Sequence, residues 1–283
     1  MKGIILTLFA NRYIAGTDKA DAVEEARRLN AAGLLATIDN LGENVKSAEE
    51  AGNSVREYIG LLDLIAKEKV NSTVSLKLTH LGLDISDGRA FDGVEAVIKK
   101  AALCKNFVRF DMEGSAYTER TMEIFLRLRE SCDNVGIAVQ SALLRSRNDV
   151  KLLIEKKASV RLVKGAYKEP AEVAFERKKD VDGNYEFLMK ELLLKGERPA
   201  IATHDERLIE EAVRFVKEKG IPVASFEFQM LLGIKSTLQK RLASEGYNVR
   251  VYIPYGRNWL PYILRRLSER RENIWFVLKN IFD

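Results

Sequence analysis

The chain has 283 residues, 46% of them hydrophobic, and its 46 basic and 41 acidic residues leave a formal net charge of +5. That length suits one α/β barrel of about 250 residues, and the even mixture of charges argues against a dedicated nucleic-acid face. Only Cys104 and Cys132 are present, in no metal-ligand spacing, which excludes a disulfide framework and fits a reduced, cytoplasmic protein.

In chain order, MKGIILTLFA is apolar but lacks a cleavage site and is far short of the roughly 20 residues of a membrane span, so it reads as a packed N-terminal segment. Thr17 and Asp18 are capping candidates for a helix at 17–32 that precedes the first strand. Thereafter short β-branched or apolar runs alternate with amphipathic stretches. The predicted strands are 34–41, 72–78, 107–112, 135–140, 159–164, 200–203, 224–229 and 249–254. The predicted helices are 47–69, 93–103, 117–132, 148–157, 183–194, 205–219, 235–243 and 259–270. Eight alternating units without a Pro- or Gly-rich linker predict an α/β fold, a closed (β/α)8 TIM-like barrel with an extra N-terminal helix, as a single domain over 1–283. A doubly wound open sheet is the alternative, but no GxGxxG follows any strand.

In such a barrel the site is built where strands end, and several apolar strands here end in polar residues. They are Lys77, Asp111, Gln140, Arg161 with Lys164, Thr203 with His204, and Tyr252 running into YGRNW. Each alone has a structural explanation: Lys77 could snorkel at a rim, Asp111 could cap a loop, and a histidine after a strand is often a satisfied core group. Their convergence on one rim points to a functional mouth. Lys77, Arg161, Lys164, Arg265 and Arg266 outnumber Asp111 and Glu43, so the mouth is expected to attract anions. No metal site is expected, because only His80 and His204 are available and no HExxH or carboxylate cluster occurs. There is no GxSxG elbow. Lys77 or Lys164 leaves open a Schiff-base lyase, and a non-catalytic anion-binding barrel is a third reading.

The last predicted helix lies in NWLPYILRRLSERREN. Leu260, Ile263, Leu264 and Leu267 form an apolar stripe at i, i+3, i+4 and i+7, with Tyr262, Arg265, Arg266 and Glu269 across from it. That second face is either solvated, with an Arg265–Glu269 pair, or two guanidinium forks that grip a carboxylate or phosphate.

The segments SLKLTHLGLD, RFDMEGSAYT, RLVKGAY, IATHD, FEFQMLLG and VYIPYGRNWLPYILRRLSER resemble, in this order and over nearly the whole chain, motifs of bacterial monofunctional proline dehydrogenases and of the proline dehydrogenase domain of bifunctional PutA proteins. The resemblance implies a distorted (β/α)8 barrel with its last helix over the mouth and noncovalent FAD across the strand ends. It implies oxidation of L-proline to Δ1-pyrroline-5-carboxylate by hydride transfer, with electrons passed to a membrane quinone through peripheral contact on the inner face of the cell membrane. By position, Arg265 and Arg266 would clamp the proline carboxylate, with Glu269 holding one fork, and Lys77 would add a cationic contact held by Asp111. Met112, Gln140, Arg161, Lys164, Gly165, Ala166, Thr203 and His204 match positions that contact FAD, with Arg161 near the hydride-accepting nitrogen. Tyr167 and Tyr252 match aromatics packed on the proline ring, and Tyr252 predicts proline over hydroxyproline. Glu43 of NLGEN would pair with Arg265 over the substrate. Two positions depart from the family pattern. Asp205 replaces the usual Asn of THN, which adds negative charge near the cofactor phosphates, and Arg257 stands where an acidic residue is common. The chain ends soon after the last helix, so C-terminal elements that some relatives use at the membrane are expected to be absent. The lyase and the anion-binding barrel leave Tyr252 and RLVKGAY together unexplained.

Overall fold

The computed structural model describes residues 12–268, with side chains through residue 263. The expected packing of MKGIILTLFA and the placement of Glu269 lie outside the described residues. Helix α1 (Lys19–Ala31) precedes a regular alternation of β1 (Leu35–Asn40), α2 (Ala48–Glu68), β2 (Ser72–Leu76), α3 (Asp87–Leu103), β3 (Val108–Phe110), α4 (Ser115–Arg129), β4 (Val135–Gln140), α5 (Ser146–Glu155), β5 (Ser159–Val163), α6 (Lys178–Lys195), β6 (Ala200–Ala202), α7 (Glu206–Lys219), β7 (Glu227–Leu231), α8 (Ser236–Ser244), β8 (Val249–Tyr255) and α9 (Trp259–Ser268). All neighbouring strands pair in parallel, and β8 pairs with β1 from Leu35↔Arg250 to Asn40↔Tyr255, so the sheet closes into an eight-stranded barrel. The predicted (β/α)8 architecture and the extra N-terminal helix are both present.

Strand side chains alternate between two environments, as the pleat requires. Ile38, Leu76, Phe110, Leu162, Phe228 and Ile253 are fully buried and share one apolar core that also takes Tyr58, Leu61, Phe125 and Leu188 from the helices. Each side chain of this size contributes about 1.5–3 kcal/mol when fully buried. The intervening residues fill the barrel with polar groups rather than the branched aliphatics usual there. Thr37 bonds Ser75 at 3.0 Å, Ser75 accepts from Arg161 at 2.8 Å, and Arg161 donates to Gln229 at 2.6 Å. Below them Arg250 donates to Glu227 at 2.9 Å.

The boundaries differ from expectation in physically clear ways. Ser86 caps α3 by accepting from the Arg89 amide at 3.1 Å, so that helix begins at Asp87 and Gly93 lies inside it. Pro222 precedes a short 3-10 turn, Val223–Ser225, which delays β7 to Glu227. β2, β3, β5 and β6 end one residue before Lys77, Asp111, Lys164 and Thr203, so these residues start the loops at the mouth.

Helix α9 lies over that mouth. Its Tyr262 and Ile263 pack with Leu41, Ile234, Tyr13 and Ile14 in a second, smaller cluster. The wheel is corrected at two positions: Leu260 is 46% exposed, while Tyr262 is 7% exposed and lines the cavity beneath. A helix resting on a barrel rim buries more than one stripe, and the polar end of a tyrosine suits the wetter side. Arg265 and Arg266 fall on α9, but their side chains lie outside the described residues.

Candidate active site

The strand ends enclose a cavity of about 450 Å³, within the size range of small-molecule sites. Lys77, Asp111, Met112, Gln140, Arg161, Lys164, Gly165, Ala166, Tyr167, Thr203, His204 and Tyr252 all line it. These predicted site residues are therefore brought to one place, while Glu43 is not among the lining residues.

Asp111 is the hub. Its carboxylate accepts from the Tyr252 hydroxyl at 2.7 Å and, through its other oxygen, from the Arg161 guanidinium. Burial, reinforced by Asp111, pushes the Tyr252 phenol well above its ordinary range, so it stays a neutral donor. Arg161, 4% exposed, is fixed at three points by Asp111, Gln229 and Ser75, and its guanidinium lies 5.5 Å from the Tyr252 ring centroid.

The expected pairing of Asp111 with Lys77 is present, but Asp111 is the more distant of two carboxylates. The Lys77 ammonium donates to Asp39 at 2.8 Å, whereas Asp111 is 3.6 Å away. Asp39 is fully buried and also accepts from the Tyr58 hydroxyl at 3.3 Å. Burial pulls the Lys77 ammonium down, but Asp39 and then Asp111 outweigh it and hold the group above its ordinary value. Glu113, likewise missed, accepts from the Thr79 amide at 3.1 Å, and burial raises its carboxyl to about 6. Its carbonyl accepts from the Gln140 amide nitrogen at 2.9 Å. His80 is neutral: burial and then Lys77 lower it to about 4, and it packs against Gly42.

Lys164 donates to Asp182 at 2.6 Å and to Asp205 at 2.7 Å. The charge balance expected of the mouth is corrected accordingly: Asp39, Asp182 and Asp205 join Asp111, and Lys77, Arg161 and Lys164 are all ion-paired. A Schiff-base lyase needs a neutral lysine amine. Lys77 is held as the ammonium and Lys164 sits between two carboxylates, so neither suits that role.

The wall opposite carries backbone and small groups. Gly165 has φ +123, and a Cβ there would come within 3.1 Å of Ala142 Cβ and Gln140 Oε1, so only glycine keeps this approach open. The Thr203 hydroxyl accepts from the Asp205 amide at 3.1 Å, and His204 Nε2 accepts from the Leu231 amide at 2.9 Å. That bond fixes His204 with its proton on Nδ1. Among the described residues no cluster of three His, Cys, Asp or Glu side chains could hold a metal, and no helix is long and apolar enough to cross a membrane.

A barrel with a hydrogen-bonded acid, arginine and tyrosine at the strand ends defines an α/β-barrel enzyme of small-molecule chemistry, and sequence similarity narrows the class. The family model for proline dehydrogenase matches residues 22–279. Proline dehydrogenase 1 of Bacillus subtilis strain 168 is 42% identical over 274 residues, spanning 97% of this chain and 91% of the relative. The proline dehydrogenase of Deinococcus radiodurans is 37% identical over 277 residues, spanning 96% and 89%. Among solved structures, proline utilization A (PutA) from Bdellovibrio bacteriovorus, inactivated by N-propargylglycine, superposes with a TM-score of 0.87 at 28% identity. The match covers 93% of this chain and 33% of that chain, so this chain spans about a third of PutA. The chain belongs to the proline dehydrogenase family.

Proposed function

We propose that this chain, as a single barrel domain over 1–283, oxidises L-proline to Δ1-pyrroline-5-carboxylate at its mouth in the first step of proline catabolism, with FAD as cofactor and a quinone as electron acceptor. The observation that carries the reading is the Asp111–Tyr252–Arg161 cluster, with Lys77 beside it, lining the mouth of a proline dehydrogenase-family barrel.

The lining fits FAD in chemical kind. It offers a glycine approach at Gly165, amide and hydroxyl groups at Gln140 and Thr203, a cation at Lys164 and an apolar surface at Met112 and Ala166. FAD, when bound, supplies the acceptor for a hydride. The protein's part is position and charge. Arg161, fixed at three points and paired with Asp111, would offer guanidinium N–H groups to the cofactor's electron-accepting ring. Tyr252 and Tyr167 present aromatic faces to the proline ring, and the Asp111 bond sets the Tyr252 ring angle. Lys77, kept protonated, offers a donor to the substrate carboxylate but no base. Arg265 and Arg266 complete the carboxylate clamp. In support, helical periodicity puts these positions three and four residues after Tyr262, which lines the mouth. Glu43, on the loop after β1, pairs with Arg265. Electron delivery to a quinone brings the protein into peripheral contact with the membrane.

The test is spectroscopic. Purified protein is expected to carry flavin absorption bands that anaerobic L-proline bleaches. A colourless protein that regains no bands with added FAD overturns the cofactor, and bands untouched by proline overturn the substrate.

A further inference from the structure

The opposite end of the barrel holds a second and larger cavity, of about 1670 Å³, open at the turns that lead from helices into strands. Arg161 and Gln229 form its innermost wall, so that pair separates it from the mouth. Its lining is strongly one-signed: nine lysines and arginines against four carboxylates. That excess equals the +5 of the whole sequence, so the rest of the molecule is charge-balanced.

The four carboxylates are already engaged. Glu95 pairs with Lys99, Asp133 with Arg129, Glu197 with Arg198 and Glu227 with Arg250. Arg161 is neutralised from the mouth side by Asp111. Lys69, Lys105, Lys157 and Arg109 remain, and none has an ion-pair partner among the described residues.

The three lysines are exposed at the rim of the cavity, whereas Arg109 lies buried at its floor. Arg109 is 5% exposed and donates only to the carbonyl and hydroxyl of Ser159, at 2.6 and 3.1 Å. Burial, and then repulsion from Arg161, lower its guanidinium to about 9 although Glu227 acts from a distance in the opposite direction, and the guanidinium lies 4.9 Å from the Phe107 ring centroid with no carboxylate in ion-pair contact. Lys69, Lys105 and Lys157 adopt the left-handed conformation, with φ of 52, 51 and 50. Each ends the helix before β2, β3 or β5. The corresponding turns before β1, β7 and β8 use Gly33, Gly220 and Gly246, the residue for which that conformation carries no steric cost. A non-glycine side chain there brings Cβ close to the neighbouring carbonyl oxygen. Three lysines at such positions, all lining one cavity around a buried arginine, place charge where backbone economy calls for glycine.

We propose that the N-terminal end of the barrel is a binding site for a small, multiply charged phosphate-type anion, held between Arg109 and the lysines of the three left-handed turns. The anion supplies the counter-charge that the fold omits. A free phosphate compound and the headgroup of an anionic lipid share this chemistry. The buried position of Arg109 favours the soluble ligand, because a bilayer surface would stop at the rim.

The experiment uses inorganic pyrophosphate on the full chain saturated with FAD, so that the mouth is filled. Thermal unfolding is compared with sodium chloride at matched ionic strength. At about ten times its Kd, pyrophosphate is expected to raise the Tm by about 2–3 °C over the chloride control. Arg109→Gln is expected to abolish the shift. Because Arg109 is buried, the decisive variant is Lys69→Gly/Lys105→Gly/Lys157→Gly, which removes three charges while relaxing three strained turns. It is expected to fold, to keep its activity with proline and to lose most of the pyrophosphate shift. A wild-type response no larger than that to chloride, or a full shift retained in the triple variant, overturns the proposal. So does binding to phosphatidylglycerol vesicles that the triple variant loses while pyrophosphate has no effect, an outcome that assigns the lysines to a membrane surface.

Discussion

The Lys77 ammonium stands 2.8 Å from the Asp39 carboxylate, with Asp39 fully buried and Lys77 nearly so at the wall of the mouth. Removing one partner leaves the other charge buried with only Asp111, 3.6 Å away, to answer it. Breaking such a pair costs about 3–5 kcal/mol. Asp39→Asn is therefore expected to lower the unfolding free energy by that amount in urea titrations, with an unchanged m-value. A loss under about 1 kcal/mol would mean that the pair behaves like a surface salt bridge.

Glu113 gives the mouth a pH signature. Its carboxyl is raised to about 6, chiefly by burial, so the folded state holds a proton that the unfolded chain has released. The stability from that proton is present at low pH and fades as pH rises from the ordinary carboxyl value through 6. The loss amounts to about 2 kcal/mol. Other carboxylates, among them Asp182 and Asp205, are lowered and push the other way, so the difference between wild type and Glu113→Gln is the useful quantity. It is expected to move in favour of the variant by about 1.5 kcal/mol between pH 4.5 and 6.5. A pH-independent difference would remove Glu113 from this role.

Removing the Tyr252 hydroxyl tests the hub. Tyr252→Phe keeps the ring over Arg161 but takes away the donor to Asp111. One such bond to a carboxylate is worth about 1.5–3 kcal/mol, so kcat/KM for proline is expected to fall by about tenfold or more while the flavin spectrum stays the same. Tyr252→Ser removes the ring as well, and is expected to raise the preference for hydroxyproline relative to proline. Parallel losses for both substrates would deny the ring a part in selectivity.

The barrel was legible because its signal is repetitive: apolar runs of strand length recur between amphipathic helices, and every predicted strand corresponds to an observed one. The cluster was legible where a charged residue ended an apolar run, as at Lys77, Asp111 and Lys164. The missed partners fail that test in different ways. Asp39 sits inside the run LLATIDNL, and its meaning depends on the pairing of β1 with β2, where Asp39 lies opposite Ser75, two residues before Lys77. Asp182 fell one residue before the predicted helix at 183–194, although α6 begins at Lys178 and carries it to Lys164. Glu113 lies just past the predicted third strand and is paired through a turn, at Thr79, that periodicity does not encode. On α9 the wheel recorded amphipathicity but not which surfaces the helix would meet, hence the exchange of Leu260 and Tyr262.

The arginines that follow Tyr262 are best tested by kinetics. Arg265→Ala and Arg266→Ala each remove a charge-assisted contact worth about 1.5–3 kcal/mol. The apparent KM for proline is expected to rise by between about tenfold and a hundredfold, with a much smaller change in FAD affinity. Unchanged proline kinetics in both variants would return these residues to a solvated helix face.

Asp205 makes two contacts that separate stability from cofactor affinity. One carboxylate oxygen caps α7 by accepting from the Arg207 amide at 3.2 Å, while the other takes a bond from Lys164 at 2.7 Å. Asparagine caps a helix as well as aspartate does. Asp205→Asn therefore leaves α7 intact but removes one of the two negative charges that compete with a phosphate for Lys164. FAD is expected to bind about five- to tenfold more tightly, roughly 1–1.4 kcal/mol, with Tm unchanged in the cofactor-free protein. Asp205→Ala, which removes the cap as well, is expected to gain the same affinity but lose about 1 kcal/mol of stability. Fluorescence titration of FAD with all three proteins decides the matter. Equal affinity in wild type and Asp205→Asn would mean that Lys164 serves the loop through Asp182 and takes no part in holding the cofactor.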